Sequence, residues 1–178
     1  METGGEYTGE LAIDLVNTLQ LRRGGTTVDL LVDPGGLARW LRGTGGPGGP
    51  DGVGAGRLQA LRAHVLDLLG AAVRQRPLPR AAVSAVNRAA AAAPAVVQLE
   101  ADELVVRYHA SPPEAFLADV AGSAINLVGG PGRDRLRRCG APGCGRWFVA
   151  SRPRQRWHSP NCGNRARVAR FQQRQRAA

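Results

Sequence analysis

The stretch CGAPGCGRWFVASRPRQRWHSPNC, residues 139 to 162, decides how the C-terminal part of this 178-residue chain folds. It contains all three cysteines of the protein and one of its three histidines, spaced as C-x4-C-x13-H-x3-C. Zn²⁺ prefers thiolate and imidazole donors, and a structural zinc site fills its tetrahedron with four protein ligands. We therefore predict a structural Zn²⁺ site formed by Cys139, Cys144, His158 and Cys162, with no open position for a catalytic water.

The cysteines could instead be unrelated buried thiols or a redox site. A redox pair would more usually have C-x-x-C spacing, and inert buried cysteines need not cluster with a histidine. A disulfide framework would leave one thiol unpaired, because the number of cysteines is odd. No segment resembling a signal peptide is recognised at the N-terminus, so the expected location is the reducing cytoplasm.

The positive charge of the protein is concentrated at the same end as the cysteines. Residues 133–178 contain 13 arginines and the single acid Asp134, a formal charge of +12, whereas residues 1–132 contain 11 arginines and 13 acids, a charge of −2. The chain has no lysine, and a nucleotide-composition bias of the genome would account for part of its arginine content. Such a bias does not explain why acids are missing from one end only. No apolar run approaches the roughly 20 residues of a membrane span, so no membrane partner is expected.

Hydrophobic spacing predicts a mainly α fold of the α+β type, with a helical N-terminal domain and one small β-hairpin. The breaker at Gly129–Gly132 sets the predicted boundary between this domain, residues 1–132, and a metal-bound module, residues 133–178. The predicted elements are a helix over Glu10–Arg22, a helix opened by Asp33-Pro34, a flexible Gly/Pro loop over residues 43–56, a hairpin of helices near 58–72 and 80–93, a β-hairpin between Pro94 and His109, and a helix capped by Ser111.

The C-terminal module is predicted to be treble-clef-like. In this interpretation a cysteine knuckle leads into a β-hairpin that pairs residues 147–149 with residues 155–157, and the returning strand delivers His158. Ser159 then caps a helix that starts at Pro160 and continues to about Arg176. The aromatic side chains of Trp147, Phe148 and Trp157 are expected to form the small apolar core, with base stacking as the alternative.

The predicted last helix carries a stripe of arginines, Arg167, Arg170 and Arg174, at steps of three and four residues. No acids neutralise this stripe, so it is expected to bind an anionic partner, and nucleic-acid phosphates fit best. A solvated basic tail without a specific partner is the simpler alternative. An acidic protein is a further alternative partner. The helix lacks the broad apolar face that it would need to enter an anionic membrane.

Two motifs carry a resemblance to known families. The tetrapeptide Cys162-Gly163-Asn164-Arg165, with the earlier cysteine pair and Trp157, resembles the CGNR zinc finger. The N-terminal Leu15-Val16-Asn17-Thr18 and the later segment Leu37–Leu41 are similar to the ABATE domain that usually precedes this finger. The resemblance implies a stress-responsive bacterial transcription regulator whose finger binds DNA in a zinc-dependent way. The family usually has a cysteine where this chain has His158.

The resemblance adds candidate residues to those found by spacing. Asn164 and Arg165, at the start of the last helix, are expected to touch bases or the DNA backbone. Asn17 and Thr18 either line a ligand pocket in the N-terminal domain or brace neighbouring backbone.

No Ser/His/Asp set, carboxylate pair, Walker loop or dinucleotide motif is present, so we do not expect an enzyme. The alternative functions are an interaction module that docks an acidic protein and an RNA-binding protein. A homodimer would suit DNA binding, since one short helix reads few base pairs.

Overall fold

The computed structural model describes residues 7–22 and 24–176. The regular elements of these ranges are α1 (Leu11–Val16), β1 (Leu19–Leu21), β2 (Thr27–Asp29), α2 (Pro34–Thr44), α3 (Ala55–Val73), α4 (Arg80–Ala91), β3 (Ala95–Glu100), β4 (Glu103–Tyr108), α5 (Pro112–Gly129), a 3₁₀ turn (Arg133–Arg135), β5 (Leu136–Arg138), β6 (Trp147–Val149) and α6 (Pro160–Arg176). The strands pair as three antiparallel hairpins, β1–β2, β3–β4 and β5–β6. The predicted mainly helical fold with small hairpins is confirmed.

The main hydrophobic core lies where α3 contacts α1, α4 and α5. Leu58, Val65 and Leu69 of α3 are fully buried there, together with Leu15 of α1 and Val120 of α5. Burying one such side chain contributes about 1.5 to 3 kcal/mol, so this shared core is the principal source of stability of the helical part. None of the described helices combines the length and the apolarity needed to cross a membrane.

Two helices begin where the sequence predicts. The Asp33 carboxylate accepts a hydrogen bond of 2.7 Å from the backbone N–H of Gly36, with Pro34 in the first turn of α2. The Ser111 hydroxyl accepts from the backbone N–H of Glu114 at 3.5 Å at the start of α5. Each cap satisfies a backbone donor that the helix itself leaves unpaired, which contributes about 0.5 to 2 kcal/mol.

The prediction of one helix over Glu10–Arg22 is wrong in its second half. The helix ends at Val16, where the Thr18 hydroxyl donates a 2.6 Å hydrogen bond to the carbonyl of Leu15 and its backbone N–H donates to the same oxygen. These bonds close the last turn and release the chain, which continues as β1. The helical part therefore contains the additional hairpin β1–β2.

The glycine-rich segment 43–56 is tied to the core near its end. The helix α2 continues to Thr44, and Gly45 ends it with a positive φ of 74°, which glycine adopts without strain. Val53 is buried, and its backbone N–H donates to the carbonyl of Pro47 at 3.1 Å. The predicted flexibility of the loop stays a prediction.

The hairpin β3–β4 occurs where the sequence predicts it. Its turn residues Ala101 and Asp102 both have positive φ, at 45° and 70°, so the two-residue turn forms without the usual glycine. The Tyr108 hydroxyl at the base of the hairpin donates a hydrogen bond to the Asp119 carboxylate on α5. This bond, more than the partial burial, raises the pKa of Tyr108 to about 12. The hairpin is thereby attached to the helical part at its base.

Asn17 joins the helical part to the C-terminal residues. Its side-chain amide donates to the carbonyl of Trp147 at 3.0 Å, and its side-chain oxygen accepts from the backbone N–H of Trp147 at 2.9 Å. The carboxamide thus pairs with Trp147 as a neighbouring strand would. Trp147 and Leu136 are both buried and belong to the main hydrophobic core.

A partly buried ion pair lies next to Thr18. Arg62 of α3, only 6 % exposed, donates through Nη1 to Asp29 at 2.7 Å, and its Nη2 contacts the other carboxylate oxygen. The same Nη1 donates to the Thr18 hydroxyl at 2.7 Å. Because a buried charge needs all of its partners, this network fixes β2 and the end of α1 against α3.

We predict that Asn17→Ala destabilises the whole chain. The change leaves the N–H and C=O of Trp147 without their partners, at about 1 to 3 kcal/mol for each buried group. Chemical denaturation should show a fall of about 2 to 6 kcal/mol in the free energy of unfolding. Asn87→Ala, an exposed asparagine in α4, is the matched control and should change it little. Equal stability of the two variants would contradict the role given to Asn17.

We predict that Asp29→Asn lowers stability by about 3 kcal/mol at neutral pH, because it leaves the charge of the buried Arg62 without its carboxylate partner. The hydrogen bonds from Arg62 lower the pKa of Asp29 below its ordinary value of 3.8. Because the pKa of Asp29 is lower in the folded than in the unfolded state, its carboxylate stabilises the protein fully at a pH above the pKa of the unfolded state. This stabilisation is lost as the pH falls through the pKa of the folded state.

The difference in unfolding free energy between wild type and Asp29→Asn should therefore shrink as the pH drops below about 4. Burial raises the pKa of Asp14, which makes the unfolding free energy change with pH in the opposite direction. This contribution is the same in wild type and in Asp29→Asn, so it cancels when the two are subtracted. A difference that does not vary between about pH 2.5 and 7 would refute this account of Asp29.

Candidate metal centre

The first two cysteines lie on a tight turn between β5 and β6. The backbone N–H of Cys139 donates to the carbonyl of Arg146 at 2.7 Å, and that of Gly145 donates to the carbonyl of Cys139 at 3.2 Å. Gly143 and Gly145 have φ of 66° and 68°, a conformation that residues with a Cβ rarely adopt. The turn brings the two cysteines, five positions apart, to one side of the knuckle.

The pairing of the finger hairpin differs from the prediction. Trp147–Val149 pairs with Leu136–Arg138, upstream of the knuckle, and residues 155–157 do not form a strand. A hairpin across the knuckle needs only a short turn, whereas the segment after Val149 contains Pro153, which cannot donate to a ladder. His158 is therefore delivered by a loop.

The helix α6 supplies the last ligand. The Ser159 hydroxyl accepts from the backbone N–H of Cys162 at 3.3 Å, and Pro160 opens the helix. The predicted cap and the predicted extent to Arg176 are both confirmed. This cap fixes the first turn of α6, so Cys162 points back at the knuckle.

The structure brings together all four predicted ligands. The sulfur atoms of Cys139, Cys144 and Cys162 and a ring nitrogen of His158 all lie within 4.8 Å of one another. His158 Nδ1 lies 3.4 Å from the sulfurs of both Cys144 and Cys162. With Zn–S bonds of about 2.3 Å the edge of a tetrahedron is about 3.8 Å, so these donors fit one Zn²⁺ after small inward movements.

The surroundings of Cys144 disfavour its thiolate. The three sulfurs are buried, and burial, together with the neighbouring Cys139 and Cys162, raises the pKa of the Cys144 thiol to about 12. Metal ligation needs thiolates, which a bound Zn²⁺ stabilises by its charge. The donor set thus fits a closed structural zinc site.

Arg165 is directed at the metal cluster. Its Nη2 donates to the sulfur of Cys162 at 3.0 Å, and its Nε is buried without a hydrogen-bond partner among the described residues. Three thiolates around Zn²⁺ with a neutral imidazole carry one net negative charge, which the guanidinium offsets. Contact between Arg165 and DNA stays a prediction, but the contact that the structure gives it is with a metal ligand.

The aromatic residues divide between two cores. Phe148 is buried beside the three cysteines, and Trp157 packs partly buried against the same cluster. A Cβ at Gly163 would lie 3.1 Å from Cδ1 of Trp157, so the glycine of the Cys-Gly-Asn-Arg motif makes room for the indole. Trp147, predicted to lie in the core of the finger, packs instead in the main hydrophobic core.

The other predicted site residues are not part of the ligand cluster. Asn164 is exposed, and its side-chain oxygen accepts from Arg167 at 2.9 Å. Arg170 and Arg174 follow as exposed residues along α6. The side chains of Asn17 and Thr18 are bonded within the fold, which is the bracing alternative, and their role in a ligand pocket stays a prediction.

Sequence reasoning missed two features of this region. The contacts of Asn17 with Trp147 span 130 positions, so no local pattern could reveal them. Gln155 holds the loop that leads to His158, because its side-chain oxygen accepts from Ser151 N–H at 2.9 Å and its amide donates to Trp157 O at 3.0 Å. Its sequence signal is an amide between arginines, which by itself indicates nothing.

We predict that Cys144→Ser and His158→Ala each weaken zinc binding by more than about 100-fold, since even partners outside the ligand shell contribute about 10- to 100-fold. His158→Cys supplies a fourth sulfur and should keep one zinc per chain. Elemental analysis after dialysis against a chelator of graded strength measures this. Retention of one zinc by Cys144→Ser or His158→Ala under those conditions would refute the assigned ligand set.

Comparison with known families agrees with this geometry. The model of the ABATE family, described as "Putative stress-induced transcription regulator", matches residues 9–131. The model described as "CGNR zinc finger" matches residues 135–175, which include all four ligands. No curated protein matches the chain significantly. The helical part and the metal centre thus fall into two known modules in their usual order, and the chain belongs to the ABATE family and carries a CGNR zinc finger.

Proposed function

We propose that this protein is a DNA-binding transcription regulator of the bacterial cytoplasm, whose zinc finger contacts duplex DNA. The finger holds the metal through Cys139, Cys144, His158 and Cys162, and the ion keeps α6 fixed to the knuckle. The helical N-terminal domain is the part that senses a ligand or partner.

The observation that carries the proposal is the uncompensated charge of the finger. Residues 133–178 contain 13 arginines and one acid. The four ion pairs found in the described ranges all join residues that lie between Asp29 and Glu114, and none involves the finger. A polyanion can supply the missing counter-charge, and release of its condensed cations favours binding.

The helix α6 presents this charge in a form that suits duplex DNA. Arg167, Arg170 and Arg174 lie on one stripe and are exposed, and we expect them to contact phosphates. Asn164 is exposed near the start of α6, and we expect it to contact a base edge or the backbone. The family description, which names a transcription regulator, agrees with this role.

The Asn17 contacts give the N-terminal domain a physical connection to the finger. Its amide pairs with Trp147, and Trp147 is followed along β6 by Phe148, which packs against the cysteines. A ligand that moved the end of α1 would therefore move a strand of the metal module. This connection supports the sensing role proposed for the helical domain.

The proposal predicts salt-dependent, zinc-dependent binding of duplex DNA. Fluorescence anisotropy of a labelled duplex should show affinity that falls steeply between about 50 and 200 mM salt. Removal of the metal with a chelator should abolish binding, and added zinc should restore it, because the metal orders the finger. Affinity that is insensitive to salt, or unchanged by the chelator, would contradict the proposal.

The arginine stripe provides a second test. The variant Arg167→Ala/Arg170→Ala should reduce the slope of log affinity against log salt by about 1.8, or about 0.9 per lost phosphate contact. The matched control is Arg80→Ala/Arg88→Ala, two exposed arginines of α4, which should leave the slope unchanged. Replacing the duplex by single-stranded RNA or by an acidic protein in the same titration distinguishes the alternative partners, and preference for either would overturn duplex DNA as the target.

A further inference from the structure

Two open clefts lie on either side of the loop that leads to His158. One has a volume of about 560 Å³ and the other about 640 Å³. They share the residues Arg154, Gln155, Arg156 and Trp157, which form the wall between them. The clefts are therefore two sides of one surface that turns around this loop, and we call that surface the loop groove.

Arginines from three separate segments line the loop groove. Arg137 and Arg138 come from β5, the loop supplies three more, and Arg167 and Arg170 come from α6. The loop residues are Arg152, Arg154 and Arg156, all exposed. Among the described residues, no aspartate or glutamate lines either cleft. Arginines of β5, of the loop and of α6 therefore line the groove, and no carboxylate in its lining neutralises them.

The loop itself is held in a fixed turn. The side-chain oxygen of Gln155 accepts from both the backbone N–H and the hydroxyl of Ser151, at 2.9 and 3.0 Å. Its amide donates to the carbonyl of Trp157, and the guanidinium of Arg156 stands 5.6 Å from the centre of the Trp157 ring. Such bracing lowers the entropy lost when the arginines bind a ligand.

We propose that the loop groove is a binding site for the phosphodiester backbone of DNA, with Arg152, Arg154 and Arg156 gripping phosphates beside those held by α6. The inference rests on the proposed function and extends it to residues outside the helix. Guanidinium forks match phosphate oxygens in geometry and charge. Arginines on three segments suit a chain of phosphates better than a single small anion.

Sequence patterns do not single out these loop arginines. They are predicted to lie in or next to a strand that returns to His158. Because that strand does not form, the loop closes on itself through Gln155 and displays its arginines beside α6. Gln155 acts as a positioning residue, since it touches the loop and not the ligand.

The test compares Arg154→Gln/Arg156→Gln with wild type in the duplex titration at about 50 and 200 mM salt. Loss of two phosphate contacts should reduce the salt slope by about 1.8, so the wild type loses about 12-fold more affinity than the variant over this roughly fourfold rise in salt. Arg80→Gln/Arg88→Gln is the matched control and should behave as wild type. Zinc content and circular dichroism establish that each variant is folded.

The outcomes separate this inference from the proposed function. If wild type binds and Arg167→Ala/Arg170→Ala lowers the slope while Arg154→Gln/Arg156→Gln does not, the loop arginines do not hold phosphates, and this inference fails although the finger binds DNA through α6. If wild type does not bind duplex DNA, both proposals fail. If the double variant loses zinc, the single variants Arg154→Gln and Arg152→Gln are titrated instead. Each should reduce the slope of log affinity against log salt by about 0.9.

A second variant tests the bracing of the loop. Gln155→Ala keeps every arginine but removes the contacts to Ser151 and Trp157. We expect weaker binding at both salt concentrations with an almost unchanged slope, because the number of phosphate contacts stays the same. Affinity equal to wild type would show that the fixed turn makes no contribution.

Discussion

The convergence of four side-chain donors on one point is the constraint on which the finger depends. In the described part of the finger, the core around them consists of Phe148, Ala141, Ala150 and the cysteines themselves, and Trp157 covers one side. So small an apolar core cannot offset the entropy of ordering the knuckle, the loop and α6. A metal ion that binds the folded arrangement adds its binding free energy to folding. The knuckle glycines and the Ser159 cap set the geometry that this ion requires.

The metal centre and the helical part are not independent in structure. Trp147 and Leu136 flank the knuckle, yet both pack in the main hydrophobic core, and Asn17 pairs with the backbone of Trp147. The finger is therefore supported from two sides, by the ion and by the helical core. That double support explains how a segment with 13 arginines can hold a defined surface despite its mutual repulsion.

Local chemistry made much of this architecture predictable from the sequence. Ligand spacing indicated the cluster, and the caps at Asp33, Ser111 and Ser159 indicated where three helices begin. These signals depend on neighbours within a few positions. The apolar spacing of Leu15 and Leu19 suited a helix, yet the hydrogen bonds of Thr18 close α1 and the following residues pair with β2 instead. Tertiary packing, which a periodic pattern does not encode, determines three other features. These are the pairing of Trp147 with β5, the direction of the Arg165 side chain and the contacts of Asn17.

The finger thus depends on the metal site and on its packing against the helical core, and it carries the arginine-lined loop groove. The central claim is the coordination of a metal ion by Cys139, Cys144, His158 and Cys162, since the surface exists only if the finger is ordered. X-ray absorption spectroscopy at the zinc edge of the purified protein tests this directly. We predict three sulfur neighbours at about 2.3 Å and one nitrogen at about 2.0 to 2.1 Å. A shell of nitrogen and oxygen neighbours without sulfur, or protein that binds no zinc, would contradict it.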